Sequence, residues 1–387
     1  DIHYITPVQY PADDKNSGTI TTHFDYHSIN DRLVKLDILG HDDPTVIRML
    51  EDLTGIPAKE IPFADEATMS LFSSTEALGV KPEAIGSEVG TFGIPEFGTH
   101  FVRQMIKDVQ PKNFSEIVRV SGYSHGTDVW LNNAQDLIKE GIPVHDTIST
   151  RDDIMTSLIA RGVEPLKAFK IMEDCRKGKA HKEGLAPELL KAMTEAKVPD
   201  WYIESCHRVQ YLFPKAHAVA YVMMACRIAY CKVHYPKEFY AAYFTVRAPK
   251  FDAALVDKGI EYMKRFVKEI YAQGNAAKVN DKDTVTYMEL AIEMISRGYE
   301  FEKIDLYRSD PHKFIVTEKG LLPPLGALAG IGGTAADNIA EARKGHAFIS
   351  HEDLKNRAGI PKSSIEALAA LGVLDGLPET DQIRLFG

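Results

Sequence analysis

The chain has 387 residues, 44% of them hydrophobic and 26% charged, which supplies enough apolar sequence for packed cores and excludes wholesale disorder. At roughly 100–200 residues per domain it is expected to hold two to four domains. The formal net charge of −10 argues against a uniformly basic nucleic-acid binder, but residues 1–100 carry 6 Lys+Arg against 17 Asp+Glu while residues 151–250 carry 17 against 11, and a phosphate-binding surface needs local rather than total positive potential.

Residues 1–31 are polar and rich in turn formers, including Pro7, Pro11 and Asn16-Ser17-Gly18. The alternation of Val34, Leu36 and Ile38 before Gly40 predicts a short strand, with Lys35, Asp37 and Leu39 on its other face. Asp42-Asp43-Pro44 then reads as a helix cap, followed by a helix bearing Val46, Ile47, Met49 and Leu50 at helical spacing. Five glycines and two prolines make residues 79–99 a long ordered loop. From Phe101 to Val246 the periodicity predicts helices over 101–109, 127–140, 150–160, 165–175, 186–196, 200–212, 215–233 and 236–246. Two further helices flank Ala272-Gln273-Gly274-Asn275, residues 301–322 read as extended, and residues 323–376 as short helices with glycine-rich turns. The fold class expected is mainly α, multi-domain, with a short β piece at the N-terminus.

No stretch approaches the ~20 apolar residues of a membrane helix; the longest candidate, 216–230, is interrupted by His217 and Arg227. The four cysteines include no C-x-x-C pair, so neither a zinc ribbon nor a disulfide framework is indicated, and a reducing cytoplasm fits best. The opening Asp1-Ile2-His3 has neither an initiator Met nor a basic leader, and reads as the start of a piece of something longer.

Five stretches hold residue types that do chemistry. A carboxylate such as Asp37 on the open face of a strand suits Mg²⁺, although no D-x-D partner stands nearby and a surface or capping role is the plainer reading. Ser121-Gly122-Tyr123-Ser124-His125-Gly126 reads as a polar loop before a helix at Thr127 or Asp128, able to offer backbone N–H groups to an anion, or as a tight turn with an N-cap. Arg176-Lys177-Gly178-Lys179 ends a helix, with Arg161 one helix earlier; it is either a clamp for phosphates or ordinary capping of the helix dipole. In Tyr211-Leu212-Phe213-Pro214-Lys215-Ala216-His217, Pro214 starts a helix that sets His217 and Tyr221 one turn apart, suited to binding phosphate and stacking a base or to a buried core. The strongest local pattern is the helix-hairpin-helix of Gly330-Ile331-Gly332-Gly333-Thr334, whose following helix turns Ala336, Ile339 and Ala340 inward; a weaker copy runs through Ile360-Pro361-Lys362-Ser363 to Leu374. Such hairpins bind DNA phosphates through backbone N–H groups without reading sequence.

Together, Lys35-Leu36-Asp37-Ile38-Leu39-Gly40, Ser121 to Trp130, Phe213 to Tyr221 and His234-Tyr235-Pro236-Lys237-Glu238-Phe239-Tyr240 resemble the bacterial C-family replicative DNA polymerase, the alpha subunit of DNA polymerase III. Gly93-Ile94-Pro95-Glu96-Phe97-Gly98-Thr99 and the C-terminal tail point to its PolC type in Gram-positive bacteria; the DnaE type and a non-catalytic DNA-binding and clamp-docking module are the alternatives. The resemblance covers essentially the whole chain and implies residues 1–44 as the end of a palm, 45–248 as fingers, 249–376 as a duplex-binding region with tandem helix-hairpin-helix over 323–376, and 377–387 as a clamp-binding tail. It implies Asp37 as the catalytic carboxylate and one ligand of a two-Mg²⁺ site completed outside this chain, with nucleotidyl transfer from dNTPs onto primer–template DNA. It implies Arg161, Arg176, Lys177, Lys179, Ser124, His125, Tyr211, Lys215 and His217 around the incoming dNTP. Gly330, Ile331, Gly332, Gly333, Thr334, Lys362 and Ser363 would grip DNA, and Gln382, Leu385 and Phe386 would dock on the sliding clamp among other replisome subunits. By itself this polypeptide would be inactive.

Overall fold

The computed structural model describes residues 2–36, 38 and 40–381, in two compact units, Asp1–His41 and Asp42–Gly387. In the first unit, two-residue strands Val8–Gln9 and Thr21–Thr22 pair antiparallel, with Val8 opposite Thr22. They enclose short turns at Pro11–Asp13 and Lys15–Ser17, the latter capped by the Asp14 carboxylate accepting from Asn16 N–H. The strand expected over 33–40 is absent among the described residues, where Val34, Leu36 and Ile38 are 85%, 77% and 93% exposed. Alternation makes a strand only when a ladder partner and an apolar surface take its two needs, backbone pairing and burial. The β piece of this unit thus lies earlier in sequence than the alternation indicates. Asp37 and Leu39 fall outside the described residues.

The second unit is helical, and local sequence accounts for its elements. Proline in the first turn starts Asp43–Thr54, Pro165–Arg176, Pro187–Glu195 and Pro236–Arg247, where its missing N–H costs no helical hydrogen bond. Side-chain caps start others: Thr99 for His100–Val109, Asn113 for Phe114–His125 and Ser350 for His351–Ala358. The Lys215–His234 helix is nearly central, packing on Phe114–His125, Asp43–Thr54 and Pro236–Arg247. Ile260–Gln273 and Val279–Ser296 form an antiparallel pair flanking the expected Gln273-Gly274 turn. Beyond them, Gly320–Leu322 pairs parallel with Glu300–Phe301 and antiparallel with Ile315–Val316. The apolar core runs continuously from Val46 to Leu374, and all four cysteines are buried and free. Among the described residues no helix is long and apolar enough to cross a membrane.

Three local expectations are corrected. Ser121–His125 is the last turn of the Phe114–His125 helix, not a loop before one. Gly122 sits inside that helix because a Cβ there would lie 2.6 Å from the Ser149 carbonyl oxygen; it serves close packing, not a turn. The helix expected over 127–140 is an irregular wide turn over Trp130–Ala134, with Asn132 at φ +56, followed by the short Gln135–Lys139 helix. Finally, Asp42 occupies the N-cap position but makes no side-chain capping hydrogen bond, while Asp43 is buried and accepts from Arg247 at 2.6 Å, so Asp43 anchors this helix to Pro236–Arg247.

The glycine-rich segment 79–99 is ordered by buried charge. Lys232 Nζ donates to the Gly90 and Phe92 carbonyls, at 2.7 and 2.6 Å, and to Glu293 at 2.9 Å. Arg103 donates to the Gly98 carbonyl at 2.7 Å and pairs with buried Glu289 at 3.0 Å. Burial raises the Glu289 pKa although Arg103 opposes it.

Candidate functional site

The site is organised by residues 209–214, which run as an extended strap between three elements. Thr127 N–H donates to the Tyr211 carbonyl at 3.0 Å and Gln210 N–H to the Thr127 carbonyl at 3.1 Å. Leu212 N–H donates to the Arg176 carbonyl at 3.3 Å, and Arg151 N–H to the Phe213 carbonyl at 3.1 Å. The strap lies so close that a Cβ on Gly178, at φ +70, would sit 2.6 Å from the Gln210 carbonyl oxygen. It therefore draws the end of the Phe114–His125 helix, the end of Pro165–Arg176 and the start of Lys215–His234 to one place.

An aromatic column follows along it. The His125 and Phe213 ring centres are 5.0 Å apart, Phe213 meets His217 edge-on at 4.7 Å, and His217 stacks on Tyr221 at 4.2 Å with 20° between planes. The one-turn spacing of His217 and Tyr221 is realised as this stack. Tyr211 is exposed beside Phe213, their centres 6.2 Å apart. His125 Nε2 lies 2.7 Å from the Glu96 carboxylate, a hydrogen bond that holds the imidazole pKa above its ordinary value against the effect of burial. Ser124 Oγ donates back to the Ser121 carbonyl at 3.0 Å.

The cations divide into two groups. Lys215 is fixed at the mouth of the column: its N–H donates to Asp152 at 2.7 Å and its Nζ reaches Asp153 at 3.2 Å. Arg176 makes a bidentate pair with Glu173 at 2.7 and 2.8 Å, Lys177 shares Glu173 at 3.6 Å, and Lys179 lies 3.4 Å from Asp174. Lys177 and Lys179 remain exposed. Arg161 is not in this group. It ends the Arg151–Ala160 helix, which packs against Pro165–Arg176 across a short loop. At 1.5 Å per residue, Arg161 is roughly 16 Å from the strap end of that hairpin.

Asp153, which sequence reasoning passed over, is the pivot of the cluster. It accepts from Ser149 Oγ at 2.6 Å and Thr150 N–H at 2.9 Å, and lies 3.5 Å from Arg119. Burial would raise its pKa, but Arg119, Ser149 and Lys215 together bring it below the ordinary carboxylate value. The spacing Thr150-x-x-Asp153 at a helix start makes the bond from Thr150 N–H to the Asp153 carboxylate legible; the carboxylate's partners Arg119 and Lys215 are distant in sequence and are not.

The second site lies on the helix-hairpin-helix. Ile331, Ala336 and Ile339 are buried and Ala340 half-buried, while Gly330, Gly332, Gly333 and Thr334 are exposed at the start of the Gly333–Ala342 helix. First-turn N–H groups have no acceptor within a helix, so this exposed turn faces outward with donors. Gly330 adopts φ +93, the left-handed turn the glycine allows. In the second copy, Lys362 and Ser363 are exposed at the start of Lys362–Ala370, and buried Ser364 Oγ donates to the Gly330 carbonyl at 2.9 Å. That bond joins the two copies at their turns. The remaining expected residues, Asp37 and the tail's Gln382, Leu385 and Phe386, lie outside the described residues.

Comparison with known proteins matches residues 43–197 to the bacterial DNA polymerase III alpha subunit finger domain and residues 298–382 to a helix-hairpin-helix motif. Over its full length the chain is 56% identical to a DNA polymerase III PolC-type from Caldanaerobacter subterraneus subsp. tengcongensis, covering 27% of that protein. The same name is carried by relatives from Clostridium perfringens, 55% identical with 26% covered, and Bacillus subtilis, 53% identical with 27% covered. The chain spans about a quarter of the length of the curated relatives it matches. It therefore carries the finger domain of the bacterial DNA polymerase III alpha subunit family and a helix-hairpin-helix motif, and belongs with the PolC-type sequences over that quarter of their length.

Proposed function

We propose that this chain is the part of a DNA-directed DNA polymerase that holds the incoming dNTP and the product duplex. The observation that carries this reading is the gathering of Lys215, Arg176, Lys177 and Lys179 around the His125–Phe213–His217–Tyr221 column by one strap. Cations beside stackable rings suit a nucleoside triphosphate: the cations offset phosphate charge and the rings take a base or sugar face. Glu173, Asp174 and Asp153 pair with these cations, so a polyphosphate would exchange carboxylate contacts for phosphate ones.

In the reaction this reading implies, the primer 3′-oxygen attacks the α-phosphate and pyrophosphate leaves. Two Mg²⁺ ions, when bound, supply charge stabilisation at the entering and leaving oxygens, and Asp37 is the residue of this chain proposed to ligate them. The chain's other contribution is to orient the triphosphate and offset charge on the leaving pyrophosphate. The exposed turn Gly330–Thr334, with Lys362 and Ser363, would hold the duplex backbone without reading sequence. Gln382, Leu385 and Phe386 form a Gln-x-x-Leu-Phe pattern proposed to dock on the sliding clamp; Leu385→Ala with Phe386→Ala should abolish clamp capture in a pull-down.

Nucleotide saturation in primer extension tests the reading, using a PolC-type polymerase that carries this segment. Variants of the cluster should raise KM for all four dNTPs together. No change in any KM would overturn it, and a change confined to one base would mean that the cluster reads bases.

A further inference from the structure

We propose that Glu96 is a positioning residue for the nucleotide site: it holds the His125 ring doubly protonated against Phe213, so that the finger carries a fixed imidazolium at one end of the aromatic column. The inference rests on the dNTP reading above for its purpose, but its geometry stands apart.

Both ring nitrogens of His125 face acceptors. Nε2–H donates to the Glu96 carboxylate at 2.7 Å, and Nδ1–H donates to the Ser121 carbonyl at 2.8 Å. Ser124 Oγ, 3.1 Å from Nδ1, already gives its own proton to that same carbonyl and so turns a lone pair to the ring. A neutral imidazole has one N–H and would leave a lone pair pressed on an oxygen at the other nitrogen. The carboxylate, the carbonyl and the hydroxyl thus all favour the cation. The Phe213 ring, 5.0 Å away, completes the surround and favours a cation near its face.

The backbone at Glu96 points the same way. Its φ is +70, in the left-handed region that costs a residue with a side chain about 1–2 kcal/mol and that nearby Gly93 enters freely. The turn is braced to hold that conformation. Thr91 Oγ1 donates to the Phe97 carbonyl at 2.8 Å, Ile94 N–H to Thr91 at 3.1 Å, and Arg103 to Gly98 at 2.7 Å. A glycine would fit this turn with less strain; the carboxylate that stands there hydrogen-bonds His125 at 2.7 Å and also lies within 4.8 Å of the Asp43 carboxylate, the charged group facing it from the neighbouring helix.

Two measurements test the proposal. The first follows the His125 ring nitrogens by NMR in this chain, wild type against Glu96→Gln and Glu96→Gly. Both variants should move the ring's titration to lower pH; Glu96→Gly should do so with a smaller loss of thermal stability than Glu96→Gln, because φ +70 suits glycine. An unmoved titration overturns the proposal. The second measures KM for dNTPs against pH in a PolC-type polymerase carrying the segment. KM should rise as pH climbs through the His125 titration, and in Glu96→Gln that rise should begin at lower pH, in step with the NMR shift. A shifted titration with an unshifted KM profile overturns the placement of this charge at the nucleotide. Failure of the dNTP reading itself would show differently, as Lys215→Ala and His217→Ala leaving KM unchanged at every pH.

Discussion

Lys232 and Glu293 form an ion pair 2.9 Å long in which neither side chain has any exposure. The ammonium's three donors are used on Glu293 and the carbonyls of Gly90 and Phe92, and Tyr240 donates to the other carboxylate oxygen at 2.7 Å. Burial pushes the Lys232 pKa down to about 8, with Glu293 opposing the change. Through this pair the glycine-rich segment bearing Glu96 is clamped to the Lys215–His234 helix, which also carries His217.

Breaking one side of that pair should be costly. Lys232→Met leaves a buried carboxylate unpaired, for which about 3–5 kcal/mol of stability is expected to be lost. The double variant Lys232→Met with Glu293→Leu should recover much of that loss, because neither member of the pair is left as a buried charge without its partner. Urea unfolding midpoints check both, and an unshifted midpoint for Lys232→Met alone would show that water reaches the pair.

Lys215→Ala and His217→Ala should each raise KM for all four dNTPs. A charge-assisted contact contributes about 1.5–3 kcal/mol, which is roughly 10- to 150-fold. Arg161→Ala should raise KM less than either, because Arg161 lies at the far end of its helical hairpin. Equal effects from all three would mean that the triphosphate extends along the hairpin.

The two hairpin glycines should fail for different reasons. Gly332 has φ −71 and open space around its missing side chain, so Gly332→Val keeps the fold and blocks approach of the turn to phosphate. Duplex affinity should fall equally for unrelated sequences, with a shallower salt dependence. Gly330→Val, at φ +93, should instead lower the melting temperature. Sequence-selective loss in Gly332→Val would contradict backbone recognition.

Asp37→Asn, in a PolC-type polymerase carrying this segment, should abolish nucleotide incorporation and leave duplex affinity within about twofold, since one carboxylate oxygen ligand is lost and no phosphate contact is touched. Substantial residual incorporation would remove Asp37 from the metal site.

The stability contributed by His125 gives a pH signature. Its pKa is raised in the folded state, so its contribution is complete below the ordinary histidine value and is lost as pH rises through the raised one. Thermal melts of wild type should therefore lose more stability than Glu96→Gln melts across that window; parallel curves would refute the coupling.

What the sequence determined by itself was local. Helix starts follow from prolines and short polar caps, helix faces from 3.6-residue periodicity, and the hairpin turns from glycines that allow a positive φ. The stack of His217 on Tyr221 belongs here too, because residues one turn apart meet on any helix. Tertiary structure decided the rest. Whether Val34-x-Leu36-x-Ile38 pairs depends on a partner strand that no local pattern announces. Gly122 reads as a turn residue but is a packing contact with Ser149, a fact visible only when its helix meets the loop before Arg151–Ala160. Asp153 with Lys215, Glu96 with His125 and Lys232 with Glu293 join residues far apart in the chain. A buried charge and an exposed one read alike in a sequence; which charges are buried, and therefore must pair, is settled only by the packing that excludes water around them.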